Sequence, residues 1–96
     1  ALTPNFPFAP YNRGVVQAKR RNFEPAITHF SAAIAAQPDF AEAWFNRGLI
    51  RIFLEQESEG TLDLSKAGEL GIFKAYNVIK RYGIGAQPWS DSEEEE

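Results

Sequence analysis

The sequence predicts an all-α fold of about five helices, packed as antiparallel pairs. Three observations carry that prediction. Apolar residues recur at helical spacing along most of the chain, no long stretch alternates apolar and polar side chains as a strand would, and the sequence matches itself at an offset of 34 residues. At that offset Pro4 falls on Pro38, Phe6 on Phe40 and Ala9 on Ala43. Asn12, Arg13 and Gly14 fall on Asn46, Arg47 and Gly48, while Ser31 meets Ser65 and Ala33 meets Ala67. Conservative matches lie between them: Asn5 with Asp39, Tyr11 with Phe45, Val15 with Leu49, Val16 with Ile50, and Phe30 with Leu64.

Each unit reads as two helices. The first carries Tyr11, Val15 and Ala18 at helical spacing and runs to Arg21 and Asn22, where Asn22 is expected to end it and Pro25 suits the first turn of the next. That next helix sets Ala26, Ile27, Phe30, Ala33 and Ile34 on one stripe and stops at Gln37 and Pro38; its Ala-rich part favours a helix intrinsically. In the second unit a helix from Ala41 to about Leu54 carries Trp44, Phe45, Leu49, Ile52 and Phe53, and one from about Glu57 to Leu70 carries Leu64, Ala67 and Leu70. Gly71 then suits a helix end, being free to take positive φ. A fifth stretch over about 72–82 places Ile72, Ala75, Tyr76 and Ile79 at i, i+3, i+4 and i+7 and is expected to end near Tyr82.

The 96 residues give room for one domain, and 44% hydrophobic residues, with eight Phe, three Tyr and two Trp, supply its core. There is no Cys, which removes disulfides, thiolate metal sites and Cys nucleophiles, so the core must hold by packing. No apolar run approaches the roughly 20 residues of a membrane helix, and the first residues lack the basic and long apolar parts of a signal peptide. A soluble protein with no membrane partner is expected, the cytoplasm being its expected compartment. Charge is unevenly placed. Of the thirteen acidic groups, Asp91 and Glu93 to Glu96 lie at the very end; without them ten basic residues face eight acidic ones. The net charge of -3 therefore belongs to the tail. Lys19, Arg20 and Arg21 form a short basic cluster without interleaved aromatics, so no nucleic-acid partner is expected.

The period and these residues together resemble the tetratricopeptide repeat (TPR) family, which pairs two antiparallel helices in each unit. In that family an aromatic stands near the start of helix A with a small residue four on, helix B follows a small-large-small pattern, and a Pro closes the unit. Gly14, Ala26, Phe30, Ala33 and Pro38 fit the first unit, and Trp44, Gly48, Gly60, Leu64 and Ala67 the second. The resemblance implies a TPR solenoid domain over 7–82, with repeats at about 7–40 and 41–74 and the fifth helix, about 72–82, as a solvating cap. It leaves 1–6 as an N-terminal segment and 83–96 as an acidic C-terminal tail. Departures from the pattern are specific. Pro10 stands where the first aromatic should be, so the first helix is expected to begin only there, and Ile72 replaces the second terminal Pro. Arg13 and Arg47 stand where the family usually has Leu, and their recurrence suggests a shared structural role.

What the resemblance implies for function is a protein-protein interaction module rather than an enzyme. Its partner, a protein or peptide, would bind the concave face made by the A helices. The candidate partner-binding residues are Tyr11, Asn12, Val15 and Lys19 from the first unit and Phe45, Asn46, Leu49 and Phe53 from the second. The carboxylate clamp by which some members hold the acidic end of a chaperone is largely absent, because its Lys and first Asn positions carry Tyr11 and Val15, then Phe45 and Leu49. Asn12 and Asn46 can still donate to and accept from a peptide backbone. The alternative is structural: a terminal fragment of a longer repeat protein, or a self-associating homo-oligomer with no separate ligand.

No catalytic residue, metal site or cofactor is expected. His29 is the only histidine and has no acid or nucleophile one turn away, so it reads as a surface or boundary residue. Glu59 and Asp63, one turn apart, read as a solvated helix face, and the glycines at 68 and 71 lack the Gly-rich turn and Lys of a phosphate loop. The tail reads as a solubilising terminus, or as a ligand anchored by Trp89 that meets Lys74, Lys80 and Arg81.

Overall fold

A computed structural model describes residues 6–82 and contains five helices, α1 (Phe8–Lys19), α2 (Phe23–Ala36), α3 (Ala41–Phe53), α4 (Glu57–Glu69) and α5 (Lys74–Tyr82). There is no strand among the described residues. The tail over 83–96, with the roles expected of Trp89 and the acid run, lies outside the described residues, as do residues 1–5.

The helix boundaries recur at the offset seen in the sequence: α1 ends at Lys19 and α3 at Phe53, while α2 begins at Phe23 and α4 at Glu57. The cause is a shared way of stopping. After α1 the Arg21 N–H donates to the Ala18 carbonyl (2.9 Å) and the Asn22 N–H to that of Gln17 (2.8 Å). After α3, Glu55 and Gln56 repeat this toward Ile52 (3.0 Å) and Arg51 (2.7 Å), and after α4, Gly71 and Ile72 do so toward Gly68 (3.0 Å) and Ala67 (2.9 Å). Such reversed pairs satisfy carbonyls that a helix end leaves open, and they need one residue in the left-handed region. Gly71 supplies it at φ 114°, but Arg21 at 65° and Glu55 at 66° do so without the freedom of glycine. The expected stop at Asn22 is thus corrected to Arg21. Asn22 comes one residue later, and its side-chain amide donates to Gln17 Oε1 at 2.9 Å.

The start of α1 also differs from expectation. It begins at Phe8, two residues ahead of Pro10. A proline in the first turn forfeits nothing, because the first N–H groups of a helix have no intrahelical acceptor. The earlier start brings the Phe8 ring edge-on to Phe40, centroids 5.3 Å apart.

Successive helices pack against each other, most closely within the pairs α1 with α2 and α3 with α4. Small residues make this possible. A Cβ on Gly14 would lie 2.7 Å from the Phe30 ring, and one on Gly48 would lie 2.8 Å from Leu64 Cγ. Phe30 and Leu64, which fill those two spaces, are the largest fully buried side chains among the described residues. Burial of each stabilises the fold by roughly 1.5–3 kcal/mol. Between the pairs, Ala43 meets Ala33, Ile34 and Phe40, and the Trp44 indole N–H donates to the Pro38 carbonyl at 2.7 Å. At the other end α5 seats Ala75 against Leu64 and Ala67, with Ile72, Val78 and Ile79 around them, while the exposed Tyr76 lays its ring over Gly68.

Candidate functional site

Helical spacing places Val15, Ala18 and Lys19 on one face of α1, Asn46, Leu49 and Phe53 on one face of α3, and Val78 and Tyr82 on one face of α5. Two cavities open where these faces meet. The first, about 270 Å³, is lined by Val15, Ala18, Lys19, Asn46, Leu49 and Ile50, with Phe30 of α2 reaching it from behind. The second, about 330 Å³, is lined by Leu49, Ile52, Phe53, Val78 and Tyr82. Leu49 lines both, so the two lie side by side across α1, α3 and α5 and are together termed the trough.

Its chemistry is simple. The walls are apolar apart from the Asn46 amide and the Lys19 ammonium in the first cavity and the Tyr82 phenol in the second. Phe53 is 60% and Tyr82 55% exposed, so two large apolar side chains meet solvent at the rim. Phe53 is nonetheless held in place: its ring lies 5.0 Å from that of Phe23, and the Arg21 guanidinium stands 5.9 Å from both. Lys19 and Arg21 make this end of the trough basic, at the C-terminus of α1 where cations suit the helix dipole.

Of the eight residues expected from the sequence, the trough gathers Val15, Lys19, Asn46, Leu49 and Phe53. Tyr11 lies behind it. Its ring packs on Phe30 and Phe40, with centroids 5.6 and 4.8 Å away, and its hydroxyl accepts a hydrogen bond from Asn46 Nδ2 at 2.9 Å. Burial raises the Tyr11 phenol above its ordinary pKa; the bond from Asn46 works against this and the charge of Glu42 adds to it. Phe45 is half-buried among Leu64, Ala67 and Ala75, with the Lys74 ammonium 5.1 Å from its ring centre. Asn12 points elsewhere, into a separate concavity of about 240 Å³ shared with Arg13, Val16, Gln17 and His29. Val78 and Tyr82 are trough residues that the sequence reading did not single out. Their spacing of four was a usable signal, but the stripe through Ala75 and Tyr76 took precedence.

Asp63 requires a correction. It is 2% exposed and so is no part of a solvated face, unlike Glu59, which is exposed. Arg47 grips it with two bonds, Nε to Oδ2 and Nη2 to Oδ1, each 2.8 Å, and Arg51, one turn along α3, adds Nη1 to Oδ2 at 3.0 Å. The remaining Arg47 nitrogen, Nη1, donates to Ser31 Oγ of α2 at 2.8 Å, and the guanidinium stands 5.1 Å from the Trp44 ring. A buried carboxylate persists only when charge and hydrogen bonds compensate its lost hydration, and here two guanidinium groups do so. With both oxygens engaged, Asp63 ties α2, α3 and α4 together and offers no lone carboxylate for acid-base chemistry. Arg13 does not share this role, since it is exposed and makes no hydrogen bond or ion pair among the described residues.

No helix among the described residues is long and apolar enough to cross a membrane. No family model, curated protein or solved structure matches this chain.

Proposed function

We propose that the chain is a non-catalytic binding module of the tetratricopeptide kind, in which the trough across α1, α3 and α5 holds an apolar segment of a protein or peptide partner. The observation that carries the reading is the pair of apolar cavities side by side at Leu49, with Phe53 and Tyr82 exposed on their rim. Exposed aromatics beside an apolar concavity gain by covering one another, at about 25 cal/mol for each Å² removed from water. The Asn46 amide, already donating to Tyr11, keeps a carbonyl oxygen for a ligand N–H. Lys19 and Arg21 favour a ligand with a carboxylate toward that end.

Selection of displayed peptides against the full chain tests this. Retained sequences should carry apolar or aromatic anchors next to an acidic residue. Phe53→Glu, at an exposed position, should weaken them at least about tenfold, as loss of an aromatic anchor does, with helix content unchanged and melting lowered only by the lost contact with Phe23. Lys19→Glu should weaken only the acid-bearing sequences. Peptides that bind Phe53→Glu as tightly as the unmodified chain would place recognition outside the trough. A stable dimer that protects the trough in the absence of peptide would assign it to a second copy.

A further inference from the structure

We propose a second docking surface, the outward stripe of α1 formed by Ala9, Arg13, Val16 and Arg20, which takes a partner helix that presents a carboxylate among small apolar residues. The stripe lies on a different face of α1 from Val15, Ala18 and Lys19, and the inference does not depend on the trough.

The same molecule shows what such a stripe does when it is covered. Ala43, Arg47, Ile50 and Leu54 occupy the equivalent positions on and just beyond α3, and they pack against α2. Ala43 meets Ala33 and Ile34, Ile50 meets Ala26 and Phe30, and Arg47 reaches the Ser31 hydroxyl at 2.8 Å. As a result Ile50 is 7% exposed. Its counterpart Val16 is 46% exposed, and Ala9, Arg13 and Arg20 are exposed beside it. The concavity of about 240 Å³ that contains Arg13, Val16 and His29 lies along this stripe. Side chains with the spacing of a helix-docking surface thus stand without a helix among the described residues.

Charge identifies the occupant. Arg47 has Asp63 from α4 of its own pair, but the residue of α2 at the position equivalent to Asp63 is His29. The first pair therefore offers Arg13 no carboxylate, and Arg51 is matched by Gln17, so the acid that would complete the arrangement must come from the partner. A second copy laid stripe to stripe would oppose Arg13 and Arg20 to the same cations, and like charges across an interface are costly. An acidic helix fits, and a second copy laid stripe to stripe does not. In shape the partner resembles α2, whose Ser31, Ala33 and Ile34 already meet the α3 stripe; in chemistry it carries an acid where α2 has Ser31.

The probe is a synthetic peptide with the sequence of residues 22–40 and Ser31→Glu, added to the full chain labelled for NMR. Amide shifts should concentrate in residues 9–20 and at His29 and leave Leu49 and Phe53 unmoved. Arg13→Glu in the chain should weaken the probe about threefold to fivefold, the range open to an exposed ion pair. A probe with Ser31→Lys should then recover the loss. Val16→Asp, also at an exposed position, should weaken both probes about tenfold or more, as burying an unpaired carboxylate does. Shifts centred on the trough, shifts spread through the core as replacement of α2 would give, or no shifts at millimolar probe would each overturn the proposal. Indifference to the charge exchange would overturn it too, as would concentration-dependent shifts of the stripe in the chain alone.

Discussion

The two helix pairs, α1 with α2 and α3 with α4, share a packing plan and differ in what they bury. In both, a glycine of the first helix admits a large apolar side chain of the second, Gly14 for Phe30 and Gly48 for Leu64. Both also contain the sequence Asn, Arg, Gly, yet Arg47 is enclosed in an ion pair while Arg13 meets solvent. The difference follows from enclosure. α3 packs against both α2 and α4, so Arg47 can find Ser31 on one side and Asp63 on the other, whereas α1 packs chiefly on α2. An identical triplet thus acquires a different role from its neighbours, not from its own residues.

The sharpest way to break this comparison is to remove the acid. Asp63→Ala strands Arg47 and Arg51 without their counterion, and loss of one partner of a buried pair costs about 3–5 kcal/mol. His29→Ala at the equivalent position, half-buried and without a charge partner, should cost no more than about 1 kcal/mol. Denaturant unfolding of the two variants measures both; similar losses would mean that the pairs do not differ as described.

A smaller effect is expected where the plan is shared. Gly14→Ala and Gly48→Ala should each destabilise, by about 1–3 kcal/mol for overpacking, although alanine is the better helix former by about 1 kcal/mol. Gly48→Ala should be the worse of the two. Its Cβ would meet the Asp63 Cβ at 3.0 Å and the Gly60 carbonyl oxygen at 3.1 Å besides Leu64, whereas at Gly14 the close atoms all belong to the Phe30 ring. Thermal melts that rank them the other way would show the second pair to be the more yielding.

Tyr11→Phe probes the seam between the pairs. It removes the hydrogen bond with Asn46, worth about 1 kcal/mol, and it alters the pH response. Because folding raises the phenol pKa, its stabilisation is complete below the ordinary value of 10.0 and is lost as pH rises through the higher folded value. Unfolding of the wild type in that alkaline range should show a loss that Tyr11→Phe lacks. Smallest is the effect at the helix ends. Glu55→Gly should stabilise by up to about 1 kcal/mol by relieving a left-handed backbone, and Arg21→Gly should gain less, since it forfeits the guanidinium contacts with Phe23 and Phe53. Equal gains in melting temperature would mean that those contacts contribute nothing.

The five helices were legible in the sequence because periodic apolar residues and the Gly and Pro positions act locally. So were five trough residues, since Val15, Lys19, Asn46, Leu49 and Phe53 follow from a helix face. Less legible was whatever depends on a second element. Asp63 resembles any exposed acid until Arg47 and Arg51 are seen to converge on it from α3. Arg21 carries no mark of a left-handed residue; only the reversed bonds to Gln17 and Ala18 select it over Asn22. Val78 and Tyr82 join the trough because Ala75 seats against α4 and thereby fixes the rotation of α5, which its own stripe leaves open.

The connections between helices, residues 20–22, 37–40, 54–56 and 70–73, are all short, and each helix packs chiefly on those next to it in sequence. No distant segment has to find another before contacts begin to form. The entropy of closing such short loops is small, and folding rates rise as contacts become more local. A chain emerging from the ribosome can dock each helix on the one just completed, so that assembly keeps pace with synthesis and apolar faces wait only briefly for their cover.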